Sequence, residues 1–122
     1  MAVKNQIVWC DIPVKDLDRA IKFYSAVLED EVTKQSFPGG SFGLLPHVDK
    51  AVGGTLVAGE EFVPSVNGAM IYLNCDHHLD ESLLAVEENG GQILQPKHSI
   101  GAHGFRAVVL DSEGNRIGLY ST

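Results

Sequence analysis

The sequence predicts an α+β fold made of two repeated βαβββ modules, whose curved mixed sheets form a cup. The first observation is that the order strand, helix and three short strands occurs twice within 122 residues. The second is that Leu17 and Asp18 in the first predicted helix recur as Leu79 and Asp80 in the second, at an offset of 62 residues. This offset is about half the chain, so a duplicated unit of that length is expected.

The first half opens with the apolar stretch "NQIVWCDIPV", which predicts a strand. The spacing of Leu17, Ile21, Tyr24 and Leu28 then predicts a helix with one buried face. Asp16 is placed to cap this helix, because a carboxylate can accept the free backbone N–H groups of a first turn. Extended runs follow near residues 31–37, 42–48 and 54–58.

The second half repeats this order. "GAMIYLNC" is the predicted strand, and a helix follows from about Leu79 to Asn89, before Gly90 and Gly91. Extended runs lie near residues 92–96, 104–110 and 116–121, and "DSEGNR" between the last two predicts a hairpin turn. We therefore assign a single domain, 1–122, with module 1 at 1–61, a linker at 62–67 and module 2 at 68–122.

Composition and charge exclude several classes of function. The net charge is −7, from 9 basic and 16 acidic side chains, and no basic patch is present to bind nucleic acid or an anionic membrane. The stretch "MAVKNQIVW" lacks the pattern of a signal peptide, and no apolar run is long enough to span a membrane, so we expect a cytoplasmic protein. Two scattered cysteines predict neither a disulfide framework nor a zinc site.

Five pieces of sequence, in this order, resemble the vicinal oxygen chelate superfamily, which includes glyoxalases, bleomycin-resistance proteins and extradiol dioxygenases. They are "IPVKDLDRAIKFYSAVL", "GGTLVAG", "EENGGQILQP", "VVLDSEGNRIGLYS" and the doubled βαβββ order. The resemblance implies that the paired modules close a pocket for a small organic molecule. It also implies a homodimer and, in many members, a divalent metal held on facing strands.

The resemblance places the metal positions of the family on Trp9, Leu56, Ile71 and Gly118, or on Met70 instead of Ile71 if that strand slips by one residue. A divalent ion needs about three ligands from histidine, carboxylate or amide side chains, and none of these residues supplies one. We therefore expect no metal and no other cofactor. Trp9 either forms a wall of the pocket or fills the space that a metal would have left.

Other side chains are candidates for contact with a ligand. Strand alternation puts Asp11 on the same face as Trp9, where it is a weak candidate for catalysis or else a rim carboxylate hydrogen-bonded to a loop. His98 and His103 flank "SIGA" in a loop that, by the resemblance, borders the pocket. Tyr120 is a possible polar neighbour of Asp11. The predicted ligand-binding residues are Trp9, Asp11, Leu56, Ile71, His98, His103, Gly118 and Tyr120.

Three functions remain open from the sequence. The first is a small glyoxalase-like protein that binds a small organic molecule between its modules without the usual metal, either to sequester it or to transform it. The second is a metal-dependent lyase or isomerase of the lactoylglutathione-lyase type, with Asp11 or the loop histidines as replacement ligands. The third is a structural or interaction protein whose pocket is filled. One scaffold supports unrelated functions, so the fold alone does not choose among them.

Overall fold

The computed structural model describes residues 5–122, so the first four residues of the predicted module 1 lie outside the described residues. Its elements follow the predicted order. They are β1 (Trp9–Val14), α1 (Leu17–Leu28), β2 (Thr33–Phe37), β3 (Gly40–Leu44), β4 (Gly53–Ala58), β5 (Ile71–Asn74), α2 (Leu79–Glu88), β6 (Gln92–Ser99), a single 3-10 turn (Gly101–His103), β7 (Phe105–Leu110) and β8 (Arg116–Ser121).

The strands form two four-stranded mixed sheets, one in each module. The first sheet has the order β1-β4-β3-β2 and the second the order β5-β8-β7-β6. In each sheet the first and last strands of the module run parallel, and the remaining pairs are antiparallel. The predicted fold class, two βαβββ modules with mixed sheets, is therefore confirmed.

The helices cover one face of the sheets and bury the core there. Alternate residues of β1 and β4 point to this face; Ile12, Val14 and Leu56 are almost fully buried in module 1. Phe23 and Val27 of α1 close the same core. The members of the predicted stripe of α1 also pack against this core, although Phe23 and Val27 beside it are more deeply buried than most of them.

Local capping explains where α1 begins and ends. Asp16 is its N-cap and accepts the backbone N–H of Arg19. Glu29 adopts the left-handed conformation that ends many helices, with φ of 54°. None of the helices in the described part of the chain is long and apolar enough to cross a membrane.

Polar contacts join the two modules. The Glu113 side chain, in the turn between β7 and β8, accepts the backbone N–H groups of Lys15 and Asp16 at 2.8 Å each. The buried Tyr24 hydroxyl of α1 donates to Asp111 at 2.5 Å. The β7–β8 turn of module 2 is therefore fixed to the helix of module 1.

Candidate functional site

We call the side of each sheet that points away from the helices its open face. Trp9, Asp11 and Thr55 lie on the open face of module 1, and Tyr72 and Tyr120 on that of module 2, by strand alternation from the buried core residues. These faces carry exposed aromatic rings; Trp9 is 40% exposed and Tyr72 is 45% exposed. Large exposed aromatic side chains on one surface are typical of a binding site.

The Trp9 ring lies over a glycine of the neighbouring strand. A Cβ atom added to Gly53 of β4 would approach Trp9 Cζ3 to 2.8 Å, so a side chain at position 53 would displace the ring. The ring also meets His47 edge-on, with 5.4 Å between the ring centroids. The Trp9 ring is thus partly exposed and is not buried in the core, and its role as a wall of the pocket stays a prediction.

Hydrogen bonds fix the polar groups beside Trp9. Its indole N–H donates to the Thr55 hydroxyl at 3.4 Å, and Thr55 in turn donates to the Asp11 carboxylate. Asp11 is exposed, and its hydrogen-bond partner is Thr55. This arrangement makes Asp11 a paired carboxylate on the open face.

Tyr72 occupies a comparable place in module 2. Its ring lies over Gly118 of β8, where an added Cβ atom would be 2.7 Å from Tyr72 Cδ2. Because Gly118 has no side chain, Tyr72 reaches across β8, and its hydroxyl accepts a hydrogen bond from Nη1 of Arg106 on β7. The lack of a side chain at Gly118 therefore leaves room for the Tyr72 ring.

Arg106 also contacts one of the predicted histidines. Its Nε–H donates to Nε2 of His98 at 3.0 Å, and Nδ1 of His98 is 2.9 Å from the carbonyl oxygen of Pro96. Both bonds are satisfied together when His98 is neutral and carries its proton on Nδ1. His98 therefore orients the guanidinium.

The other predicted residues of module 2 make a separate contact. The Tyr120 hydroxyl donates to the backbone oxygen of His103 at 2.6 Å. It is the main chain of His103, in the 3-10 turn, that holds Tyr120. Tyr120 is paired across the strands with Arg106, so both lie on the same open face.

The structure places Leu56 and Ile71 away from the open faces. Leu56 is fully buried and is paired with Ile12, on the side of the sheet that faces α1. Ile71 is partly buried and packs against the same core. Their predicted correspondence depended on a constant offset of 62 residues, and that offset does not hold in the strands. Ile71 nevertheless lines the clefts between the modules.

For β5 the reason is one extra residue before α2, and for β4 it is a second one between α2 and β8, which raises the offset there to 63. Three positions separate the last buried strand residue, Val14, from the start of α1, whereas four separate Cys75 from the start of α2. The turn that takes up this residue includes His77, with φ of 71°. A shift by one residue moves every side chain of a strand to the opposite face.

The corrected register changes the metal positions. Asp11 now corresponds to Tyr72, and their parallel-strand partners, Thr55 and Gly118, correspond to each other. The four positions are therefore Trp9, Thr55, Met70 and Gly118. The resemblance implies a divalent metal here, but an indole, a hydroxyl, a thioether and a hydrogen atom do not make a ligand set for such an ion. Within residues 5–122, no three histidine, cysteine, aspartate or glutamate side chains cluster closely enough to hold one.

A cleft of about 400 Å³ lies between the modules; Tyr72 lines it, and so does Gly53, against which the Trp9 ring packs. This volume falls within the range of roughly 300 to 1,000 Å³ for small-molecule sites. Most of its wall is apolar, with a few polar groups from the side chains of β5 and the loop after α1. Its lining residues are Cys10, Leu28, Asp30, Leu45, Pro46, Val52, Gly53, Ile71, Tyr72, Leu73 and Asn74.

Two features complete this part of the molecule. A smaller cleft of about 280 Å³ lies further along β1, between Asp11 and Ile117.

In the larger cleft, burial and then the charge of Asp11 raise the pKa of the Cys10 thiol. Cys10 is thus kept in its thiol form, which is a poor nucleophile.

Comparison with known proteins establishes the family. The family model described as Glyoxalase/Bleomycin resistance protein/Dioxygenase superfamily matches residues 6–119. The chain therefore belongs to this superfamily. No curated protein matches the chain.

Solved structures share the fold at low sequence identity. A glyoxalase/bleomycin resistance protein from Albidiferax ferrireducens is 17% identical with a TM-score of 0.75, over 97% of this chain and 99% of that one. TnmS3, an antibiotic binding protein from Streptomyces sp. CB03234, is 24% identical with a TM-score of 0.67, over 99% and 98%. A mutant glyoxalase I from Zea mays is 22% identical with a TM-score of 0.72, over 93% of this chain and 46% of that one.

Proposed function

We propose that this protein binds a small planar organic molecule in the cleft between its modules, without a metal ion. The observation that carries the proposal is the 400 Å³ cleft, whose wall is largely apolar and includes Tyr72 and Gly53, the glycine on which the exposed Trp9 ring packs. Flat aromatic side chains favour flat ligands, because stacking adds to the burial of apolar area. Binding for sequestration is supported by the likeness to TnmS3, an antibiotic binding protein, whose fold this chain shares.

The alternative is a metal-dependent lyase or isomerase of the glyoxalase I type. It has less support, because Trp9, Thr55, Met70 and Gly118 occupy the positions at which such a metal would be held. Asp11, proposed from the sequence as a replacement ligand, is instead paired with Thr55. Both ring nitrogens of His98 are likewise engaged, Nε2 by Arg106 and Nδ1 by the carbonyl oxygen of Pro96.

A ligand screen tests the proposal. Planar aromatic compounds are screened by thermal shift and then by quenching of Trp9, the single tryptophan of the chain, each with and without EDTA. We expect hits whose stabilisation rises with ligand concentration and is unchanged by EDTA. Tyr72→Ala should weaken them, whereas Phe105→Ala is the matched control, because Phe105 is 39% exposed and lies outside the lining of the cleft.

Two results would contradict the proposal. One is that no planar compound stabilises the protein. The other is that binding requires an added divalent metal, which would favour the lyase or isomerase.

We further propose that the protein is a cytoplasmic homodimer. Ile7 and Val8, just before β1, are largely exposed, and a partner surface would bury them. The net charge of −7 supports a partner other than nucleic acid or an anionic membrane. Light scattering would give about twice the 13.2 kDa chain mass for a dimer, and the chain mass itself would contradict it.

A further inference from the structure

The Arg106 side chain is held in one place by neutral partners. His98 accepts from Nε and Tyr72 accepts from Nη1, and both acceptors belong to different strands from Arg106. Among residues 5–122, no carboxylate lies within ion-pairing distance of this guanidinium. Arg106 is therefore a fixed positive charge without a counter-charge in the described part of the chain.

The remaining hydrogen-bonding capacity of Arg106 is large. A guanidinium carries five N–H donors in a planar fork, and His98 and Tyr72 use one each. Three donors are left for other partners. Since the side chain is already ordered, a ligand would not have to immobilise it, and the entropy cost of binding is smaller than for a free arginine.

The position of Arg106 connects this charge to the cleft. Tyr72 lines the cleft between the modules, and its hydroxyl contacts Arg106 on the open face of module 2. The absence of a side chain at Gly118 is what allows the ring to span β8 and make this contact. Tyr72 is thus the residue that links the cleft to Arg106, which itself lies outside the lining; a ligand that extends from the cleft past the Tyr72 hydroxyl would reach the guanidinium.

We propose that the ligand is a planar organic acid, and that Arg106 binds its acidic group. The inference rests on the proposed binding function and adds the chemical class of the ligand. A forked guanidinium matches the paired oxygens of a carboxylate or of a phosphate, and such charge-assisted bonds are stronger than neutral ones. His98 and Tyr72 are positioning residues, because they orient Arg106.

The test uses three probes with one ring system, namely naphthalene-2-carboxylate, 2-naphthyl phosphate and the neutral naphthalene-2-carboxamide. Titration calorimetry measures their affinities for the native full chain. We expect at least one acid to bind about tenfold more tightly than the carboxamide, as one charge-assisted bidentate contact would give. The preferred acid identifies whether a carboxylate or a phosphate is the better match.

Four variants locate the effect. Arg106→Gln should remove the advantage of the acid and leave the affinity for the carboxamide within about twofold of the native value. Arg106→Lys should restore part of the advantage, because it keeps the charge but loses the fork. Tyr72→Phe keeps the ring and loosens the guanidinium, so it should also reduce the advantage. Lys22→Gln removes a charge from the exposed surface of α1 and is the matched control.

The outcomes separate this inference from the binding function. If the carboxamide binds as tightly as both acids, or if the advantage of the acid survives in Arg106→Gln, the acid proposal is overturned and the binding function stands. If none of the three probes binds although other planar compounds of the screen do, the acid proposal is overturned; if no planar compound binds at all, both are overturned. The thermal midpoint of each variant is measured alongside, and Arg106→Lys decides the question if Arg106→Gln does not fold.

Discussion

Arg19 and Glu113 form an ion pair between the two modules, with Arg19 Nε 2.7 Å from Glu113 Oε2. The Glu113 side chain is fully buried, whereas that of Arg19 is half exposed. The same carboxylate accepts the backbone N–H groups of Lys15 and of the N-cap residue Asp16, just before α1, where the helix dipole favours a negative charge. Glu113, in the hairpin of one module, therefore fixes the start of the helix of the other.

Replacing Glu113 should destabilise the whole fold. Glu113→Gln leaves buried donors without a charged acceptor, and breaking a fully buried pair costs about 3 to 5 kcal/mol. Because Arg19 is half exposed, solvent screens the pair, and we expect a loss of about 2 kcal/mol. Urea denaturation measures it, with the exposed Glu88→Gln on α2 as the control; equal stabilities for the two variants would contradict the role of Glu113.

The same carboxylate should make stability depend on acidity. Burial alone would raise the pKa of Glu113, but hydrogen bonds from Arg19, Asp16, Ser112 and Lys15 lower it from 4.5 to about 2. Its contribution is therefore present above about pH 4.5 and is lost as the pH falls towards 2. The difference in unfolding free energy between the native chain and Glu113→Gln should shrink over this range, and a constant difference would refute the assignment.

The buried pair between Tyr24 and Asp111 should contribute to stability as well. Burial, with the neighbouring Asp111, raises the pKa of Tyr24 well above its ordinary value, so the hydroxyl remains a donor. Tyr24→Phe removes this donor and leaves one oxygen of Asp111 with Asn115 alone, at an expected cost of about 1 to 3 kcal/mol. Tyr120→Phe, whose hydroxyl is more exposed, is the control and should cost less.

Gly118→Ala should affect ligand binding more than folding. The new Cβ atom would lie 2.7 Å from the Tyr72 ring, which must move and thereby lose its contact with Arg106. We expect a loss of affinity for planar acids of about tenfold, comparable to that of removing the acid contact. In a Tyr72→Ala background the same substitution should have little further effect on affinity. Additive losses of affinity would show that Gly118 does not act by leaving room for the Tyr72 ring.

The sequence predicted the fold well because the helices and hairpins depend on local signals. Asp16 marks the start of α1, and the spacing of apolar residues marks the buried face of each helix. The site was predicted less well because it depends on strand register. One extra residue before α2 changed which face of β5 is open, and a second one between α2 and β8 changed the correspondence of β4 with β8. Leu56 and Ile71 therefore lie on the helix side of their strands, although Ile71 still lines the cleft.

Arg106 was missed for a related reason. Its partner His98 lies on β6, whose pairing with β7 shifts register twice, and Tyr72 lies two strands away across Gly118. No spacing along the chain shows that these three side chains meet. The alternation of Arg106 with the buried Ala107 was the available signal, since it places a charged side chain on the open face.

The central claim is that this member of the superfamily binds its ligand without a metal ion. Elemental analysis of protein purified without chelators, combined with thermal shifts against zinc, nickel, manganese, cobalt and iron(II), tests it most directly. We predict a metal content far below one ion per chain and no shift that grows with metal concentration. One ion per chain, together with stabilisation that rises with metal concentration, would contradict the claim.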